Sequence, residues 1–484
     1  MKTVTSTSDD RQVRREQMLG QQPIRPLLMR MSIPAMVGMF VNALYNLVDT
    51  IFVGQAVGPS GIGGLAIAFP FQIFLFAIAT MVGIGSASVA SRALGSKDSR
   101  RARQATAQAF ILATALGLLI LVIGVVYLEP ILGLFGATEG LYDSARTYLQ
   151  TIVFGAPVLI IAVTGTNLIR SEGRARSAMI SMLIGAGTNL ILDPVLIFGF
   201  GLGVQGAALA TVAGFSMSAL YIAGYFLLAD SSLRPSLADF RFQAPLSREI
   251  LQIGFPNFSK QLGGSVLAVV INNTLSIYGG DLSIAVFGVI NRLLMFAVMP
   301  MFGIVQGFQP IAGYNYGARQ YDRVKEVVRT AAVATTLFTS VFFVAMQLFP
   351  ATLMRAFSSD PEMIALGVTA MRIVVFALPI IGIQLVGAAY YMAVGKALPA
   401  FILSIARQIL FLIPFVVLFA WFWGTMGVWI AFPVADTLAT TVTILFLRVE
   451  LKKLDHKHQR ETQKTRLNIE NDTETEEVEA HAVG

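Results

Sequence analysis

The 484-residue chain has no cysteine and only three histidines, His456, His458 and His481, all near its polar C-terminal end. Without cysteine there is no disulfide framework and no thiolate metal site. Without histidine in the apolar body, a histidine metal site or a Ser-His-Asp triad is excluded there. Charge is scarce as well: 13% of residues are charged, against about 25% in an ordinary soluble domain. No nucleotide-binding or nucleophile motif stands out, so neither an enzyme nor an ATP-driven pump is expected. Residues 1–26 are polar and the apolar run after them is too long for a signal core, so no cleavable signal peptide is expected.

What the chain has instead is hydrophobicity, 55% of all residues. Long apolar stretches recur from about Leu27 to Leu447, and a helix needs roughly 20 apolar residues to cross hydrocarbon. The pattern predicts an all-α polytopic membrane protein with twelve helices. They fall near 27–53, 61–90, 104–127, 143–168, 177–199, 204–229, 246–277, 282–311, 326–348, 362–392, 397–422 and 427–449. The organisation that follows has five parts. A cytoplasmic N-terminal segment, 1–26, leads into an N-lobe of six helices, 27–230. A cytoplasmic linker, 231–245, joins it to a C-lobe of six helices, 246–449. A tail, 450–484, rich in Glu, Lys, Thr and Asn, reads as cytoplasmic and disordered.

The basic residues give the orientation. Of 35 Lys and Arg, 30 lie in 1–30, 91–103, 170–176, 230–260, 319–329, at Lys396 and in 448–484. By the positive-inside rule both termini are cytoplasmic. This topology accounts for the net charge of +7 without a nucleic-acid partner.

The chain nearly repeats itself at an offset of 222: Pro34 matches Pro256, Gly58 Gly280, Gly85 Gly307, Gly95 Gly317, and Pro157 Pro379. Gly173-Arg174-Ala175 matches Gly395-Lys396-Ala397, and near the end the offset drifts to 224, where Gly203 meets Gly427. Each repeat has an even number of spans, so the halves share one orientation. Parallel repeats of this kind occur in secondary transporters, with the substrate path between them. A duplicated membrane scaffold without transport is the plainer alternative.

Ionisable groups inside a bilayer are costly and mark function by default. The N-lobe has two carboxylates well inside spans, Asp49 and Asp193. Asn42, Asn46 and Asp49 follow helical spacing, with Tyr45 one turn before Asp49. Asn189 precedes Asp193 by one turn, and Pro194 follows, able to free a backbone carbonyl. Asp193 and Thr211 are each nine residues from the turn near Leu202, and Asp49 is nine before Gly58. All three then sit about 10–13 Å from the outer ends of their helices. Carboxylates, an amide and a hydroxyl at one depth suit Na⁺, a hard cation, or a proton shared by paired acids. The alternative is that each Asp merely bonds a neighbouring helix. Asn167, at the inner end of helix four, is a weaker supporting residue.

The second half differs. Phe411 and Phe415 stand where Asn189 and Asp193 stand in the first. Its buried acid is Asp436, expected in a structural salt bridge with Arg292, Arg372 or Arg407. Those arginines also leave open a flippase-type exporter of lipid-linked or other large anionic substrates.

Three segments carry a resemblance: NLVDTIFVG at 46–54, NLILDPVLIFGFGLGVQGAALAT at 189–211 and QPIAGYNYGA at 309–318. Together they resemble the multidrug and toxic compound extrusion (MATE) family, in the bacterial branch that includes DinF-like and MepA-like exporters. The resemblance implies two six-helix bundles around a V-shaped cavity in a bacterial cytoplasmic membrane. It implies a multi-pass monomer that exports amphipathic or cationic drugs by antiport with Na⁺ or H⁺, without a cofactor. Asp49, Asn189, Asp193 and Thr211 match the family's N-lobe cation pattern, with Tyr45 beside it. One departure stands out: Gly264, eight residues after Pro256, occupies a position where another branch carries an acid. Coupling through the N-lobe is therefore expected.

Overall fold

A computed structural model describes residues 18–482, with side chains described through 459, and contains no strand among those residues. Ten helices are long and apolar enough to cross a bilayer, and a bent pair supplies an eleventh span. One of the ten, Ala244–Gly317, has 74 residues, several times what a hydrocarbon core needs at 1.5 Å per residue. It is broken at Gly280, where φ is 64° and ψ −168°, and so forms two spans. Twelve spans result.

In the first half, α1 is Ile24–Val57, α2 Pro59–Gly95, α3 Ser99–Val126 and α4 Glu139–Ser171. Helix α5, Ala175–Pro194, runs on as a π-helical turn, Val195–Gly199, and α6 is Gly203–Leu228. In the second half, α7 is 244–279, α8 281–317 and α9 Tyr321–Leu348. Helix α10 comprises Pro361–Val374 and Leu378–Ala393, bent by 49° between them. Helix α11 spans Ala397–Trp423 with a π-helical stretch, Ala406–Leu412, and α12 is Thr425–Ala482.

The repeat reads directly in the backbone. Gly58 alone joins α1 to α2 at φ 77°, as Gly280 joins α7 to α8. This left-handed region favours glycine because it has no Cβ. Lys97 and Arg319, also 222 apart, are the two non-glycine residues with positive φ among those described, at 60° and 58°. Each ends the turn before α3 or α9.

The halves meet at the end where the basic residues gather. A Cβ on Gly95 of α2 would lie 2.0 Å from the Tyr314 carbonyl oxygen, and one on Gly317 of α8 2.1 Å from that of Arg92. This reciprocal contact needs glycine on both sides. Gly303 and Gly307 of α8 lie against Met36 and Ser32 of α1, and Ser88 donates to the Met392 carbonyl at 2.6 Å. Glu249 of α7 pairs with Arg92 and Arg101 at 3.0 and 2.6 Å. Toward the other end such contacts cease, and Phe40, Leu44 and Leu47 of α1 and Val266 and Val269 of α7 are exposed. The apolar core divides accordingly. One part joins the first half to the basic end of the second, through Ile304, Phe308, Ile311 and Tyr390. The other lies within the second half, from Leu267 to Ala435. The molecule is closed at its basic end and parted at the opposite end.

Two details differ from expectation. The last helix does not stop at 449: it continues to Ala482, where a disordered tail is expected from composition. Leu454 is fully buried, Glu450 pairs with Lys396 at 2.5 Å, and Asp455 pairs with Lys325 at 2.5 Å, which docks the extension. Residues 1–17 of the N-terminal segment lie outside the described residues; Leu19, which follows them, is buried. Lys260, grouped by sequence with the basic connections, sits sixteen residues into α7. The linker itself is anchored by Asp239, which accepts from the Ser236 N–H at 2.8 Å and its hydroxyl at 2.7 Å. Burial would raise this carboxyl, but those bonds and the charges of Arg103 and Arg100 hold it below the usual range.

Candidate functional site

The crossing of α5 and α6 sets the site. A Cβ on Gly214 would lie 2.6 Å from the Gly185 carbonyl oxygen, so the two backbones approach as only glycine permits. One turn beyond Gly185 stands Asn189, and three residues before Gly214 stands Thr211. Their side chains meet: Asn189 Nδ2 is 3.3 Å from Thr211 Oγ1 and 3.3 Å from Asp193 Oδ1. The proline after Asp193 lacks an N–H, and the π-helical turn follows there. Such turns are frequent at functional sites.

Helix α1 completes the group. Asp49 and Tyr45, one turn apart, are both buried on the face turned toward the lobe interior. Asp49 and Asp193 lie within electrostatic range of each other, and the Tyr45 and Tyr148 phenols within range of both. Asp193 is fully buried, and Asp49, Asn189 and Thr211 are 2–7% exposed. Asp49 Oδ1, Asn189 Oδ1 and Asp193 Oδ2 are buried with no donor among the described residues. An unsatisfied buried acceptor costs about 1–3 kcal/mol, more when charged. These oxygens therefore call for a proton or a cation. Among the described residues no group of three His, Cys, Asp or Glu exists. Two carboxylates with neutral oxygens fit a monovalent hard cation better than a transition metal. Above the group, Phe52 and Phe198 meet edge to face at 6.0 Å.

The sequence-selected residues thus divide. Asn189, Asp193 and Thr211 are joined by hydrogen bonds, and Asp49 and Tyr45 are buried on the neighbouring face of α1. Asn42 and Asn46 bond each other, Asn46 Nδ2 donating to the Asn42 carbonyl at 2.8 Å, and Asn46 is exposed. They flank the group rather than line it. Asn167 is apart: it donates to Val163 and accepts from Arg170 Nη1 at 3.2 Å, near the basic end. It contacts a buried arginine rather than the carboxylates. Two residues escape sequence reasoning, Gln72 and Tyr148, whose side chains bond at 2.9 Å behind the carboxylates. They are 76 residues apart on α2 and α4, with no shared spacing to reveal them.

In the second half Arg407 Nε donates to Asp436 Oδ1, and Nη2 to Oδ2 at 3.4 Å. Asp436 is 1% exposed. The expected salt bridge is present, with Arg407 as the partner.

The family model described as MatE matches twice, over residues 34–195 and 256–418, two blocks whose starts are 222 apart. The chain belongs to the MATE family. Multidrug export protein MepA of Staphylococcus aureus (strain MSSA476) is 25% identical over 427 residues, 88% of this chain and 94% of that protein. Its counterpart in Staphylococcus haemolyticus is 26% identical over 420 residues, covering 87% and 92%. Among solved structures, an outward-facing multidrug-resistance MATE transporter aligns with a TM-score of 0.85 at 27% identity, covering 91% of this chain and 98% of that one. A MATE structure in a bent conformation aligns with a TM-score of 0.87 at 26% identity, covering 92% and 99%. The repeat, the twelve spans and the two-lobed plan are those of a MATE transporter.

Proposed function

We propose that this MATE protein is a multidrug exporter that expels amphipathic or cationic small molecules in exchange for Na⁺ or H⁺. The observation that carries the reading is the set of three buried side-chain oxygens around Asp49, Asn189 and Asp193 that lack a donor. The relatives named as multidrug exporters support the substrate class. The ion and the substrate are both cargo, and no resident cofactor is required.

In this reading the basic end, with both termini, is cytoplasmic, and the membrane is the bacterial cytoplasmic one. The parted end then opens outward, so the ion reaches the N-lobe group from outside. Its binding energy must differ between the outward-open and inward-open forms, or no coupling follows. The three helices that hold the group, α1, α5 and α6, supply that difference by moving relative to one another. A single chain has its own cleft and acts as a monomer. The flippase alternative asks for a strongly basic cavity, but Arg407 is neutralised by Asp436.

Ethidium efflux from proteoliposomes, under separately imposed Na⁺ and proton gradients, tests the reading. Acceleration by one of the two gradients is expected. Equal efflux with and without either gradient would refute antiport.

A further inference from the structure

Asn167 contacts an arginine that the N-lobe group does not use. Arg170, in the last turn of α4, is 5% exposed. Its Nη1 donates to Asn167 Oδ1 at 3.2 Å, and its Nη2 lies 4.0 Å from Met182 Sδ. Its Nε is buried with no acceptor among the described residues. No carboxylate acts on it there. Glu172, two residues on, is turned to Arg174 at 3.3 Å and accepts from the Ser231 hydroxyl at 2.8 Å. Other arginines of the molecule are served: Arg92 and Arg101 share Glu249, and Arg407 has Asp436. Arg170 alone of these carries its charge into the closed end with only neutral partners. A buried charge is tolerated when it is paired, and this one is not.

The cavity that Arg170 lines is built by both halves. Arg170, Asn167, Ser88 and Ser91 border it from α4 and α2, and Gln306 and Gln309 from α8. Its volume is about 20 Å³. A single water needs about 10–15 Å³, so there is room for one small occupant. A phosphate or a drug is too large. The Ser88 hydroxyl is committed to the Met392 carbonyl at 2.6 Å, which leaves the guanidinium and the two glutamine amides as the donors of the cavity. Gln306 Oε1 is also buried without a donor, and a water between it and Arg170 would serve both polar atoms. Such a water would leave the charge uncompensated, whereas a monatomic anion compensates it. The second half has no equivalent: Met392 and Ala389 stand 222 residues after Arg170 and Asn167.

We infer that Arg170 holds a chloride ion, or a halide of similar size, in this cavity as the counter-ion over which the two halves close. The inference does not rest on the export reading. Equilibrium binding of radiolabelled chloride to the purified full-length protein reads the site. Melting temperature in sodium chloride and in sodium gluconate at equal concentration reads its consequence, because gluconate does not fit. Sodium is the same in both salts, so the N-lobe group meets no change. The wild type is expected to bind one chloride per chain and to melt higher in chloride. Arg170→Met removes the charge and should bind none and melt alike in the two salts. Asn167→Asp supplies a carboxylate at the contact Asn167 already makes, and so takes the place of the ion. Its chloride binding should fall by about tenfold or more through like-charge repulsion, and its melting temperature in gluconate should rise above that of the wild type. If Arg170→Met does not fold, Asn167→Asp decides the matter. A wild type that binds no chloride and melts alike in both salts would overturn the inference, leaving water as the occupant. Chloride binding that survives either substitution would also overturn it, by putting the ion elsewhere.

Discussion

Asp49, Asn189, Asp193 and Thr211 in the first half have counterparts in the second at the repeat offsets of 222 and 224: Ile271, Phe411, Phe415 and Ala435. Where the first half has acceptors without donors, the second has packed hydrocarbon. Ile271 and Ala435 are buried in its core, and Phe411, Phe415 and Phe419 stack in a ladder at 6.2 and 5.1 Å. Gly185, at the close crossing of α5 and α6, corresponds to Arg407, which ties α11 to α12 through Asp436. One crossing is held by backbone proximity and leaves carboxylates unserved. The other is held by an ion pair whose carboxylate receives two donors from Arg407. A duplicated scaffold can thus keep its backbone plan while one copy holds buried oxygens without donors and the other fills the same positions with apolar side chains.

The largest effect should come from charge removal in the first half. Asp49→Asn and Asp193→Asn are expected to reduce gradient-driven efflux to background while the proteins insert and fold. Because the lost oxygens had no donors, melting temperature should hold or rise. The same change in the second half should do the opposite. Asp436→Asn leaves the part-buried Arg407 unpaired, read as a fall in melting temperature that corresponds to less than the about 3–5 kcal/mol that breaking a fully buried pair costs. Adding Arg407→Gln should recover most of it. Similar stability changes at Asp193 and Asp436 would break the distinction between the lobes.

Next come the reciprocal glycines. Gly95→Ala and Gly317→Ala each place a Cβ about 2 Å from a backbone oxygen across the closed end. Both should bias the protein toward the form opened at its basic end. Since the chain lacks cysteine, one cysteine introduced at Gln309, in the small pocket between the lobes, reports this as faster thiol labelling. The smallest effect tests symmetry: Gly58→Ala and Gly280→Ala should each cost about 1–2 kcal/mol through their left-handed φ. Unequal costs would mean that the two outer turns are not equivalent.

Much of this is legible in the amino-acid sequence itself. Span lengths, basic turns and the constant offset follow from the bilayer, whose thickness and charge asymmetry act on every residue in register. Asp49, Asn189, Asp193 and Thr211 were legible because helical rise converts sequence distance from a turn into depth. What depth does not encode is lateral contact. Asn46 shares a spacing with Asp49 yet lies exposed, while Tyr45 is the residue buried beside it. Gln72 and Tyr148 meet only because α2 and α4 pack. Lys260 falls with the basic connections when charges are grouped, yet it lies inside both the predicted span 246–277 and α7, which begins at Ala244. The helical extension beyond 449 depends on Leu454, Glu450 and Asp455 finding partners on other helices, which composition does not show.

The central claim is that the coupling ion binds in the first half. Substrate-driven ion movement measures it most directly: ethidium is loaded on one side of proteoliposomes, and Na⁺ and proton flux in the opposite direction are followed. Wild type and the Asp436→Asn, Arg407→Gln double variant should both move the ion, whereas Asp193→Asn should not. Ion movement that survives Asp193→Asn, or is lost only in the double variant, would contradict the account.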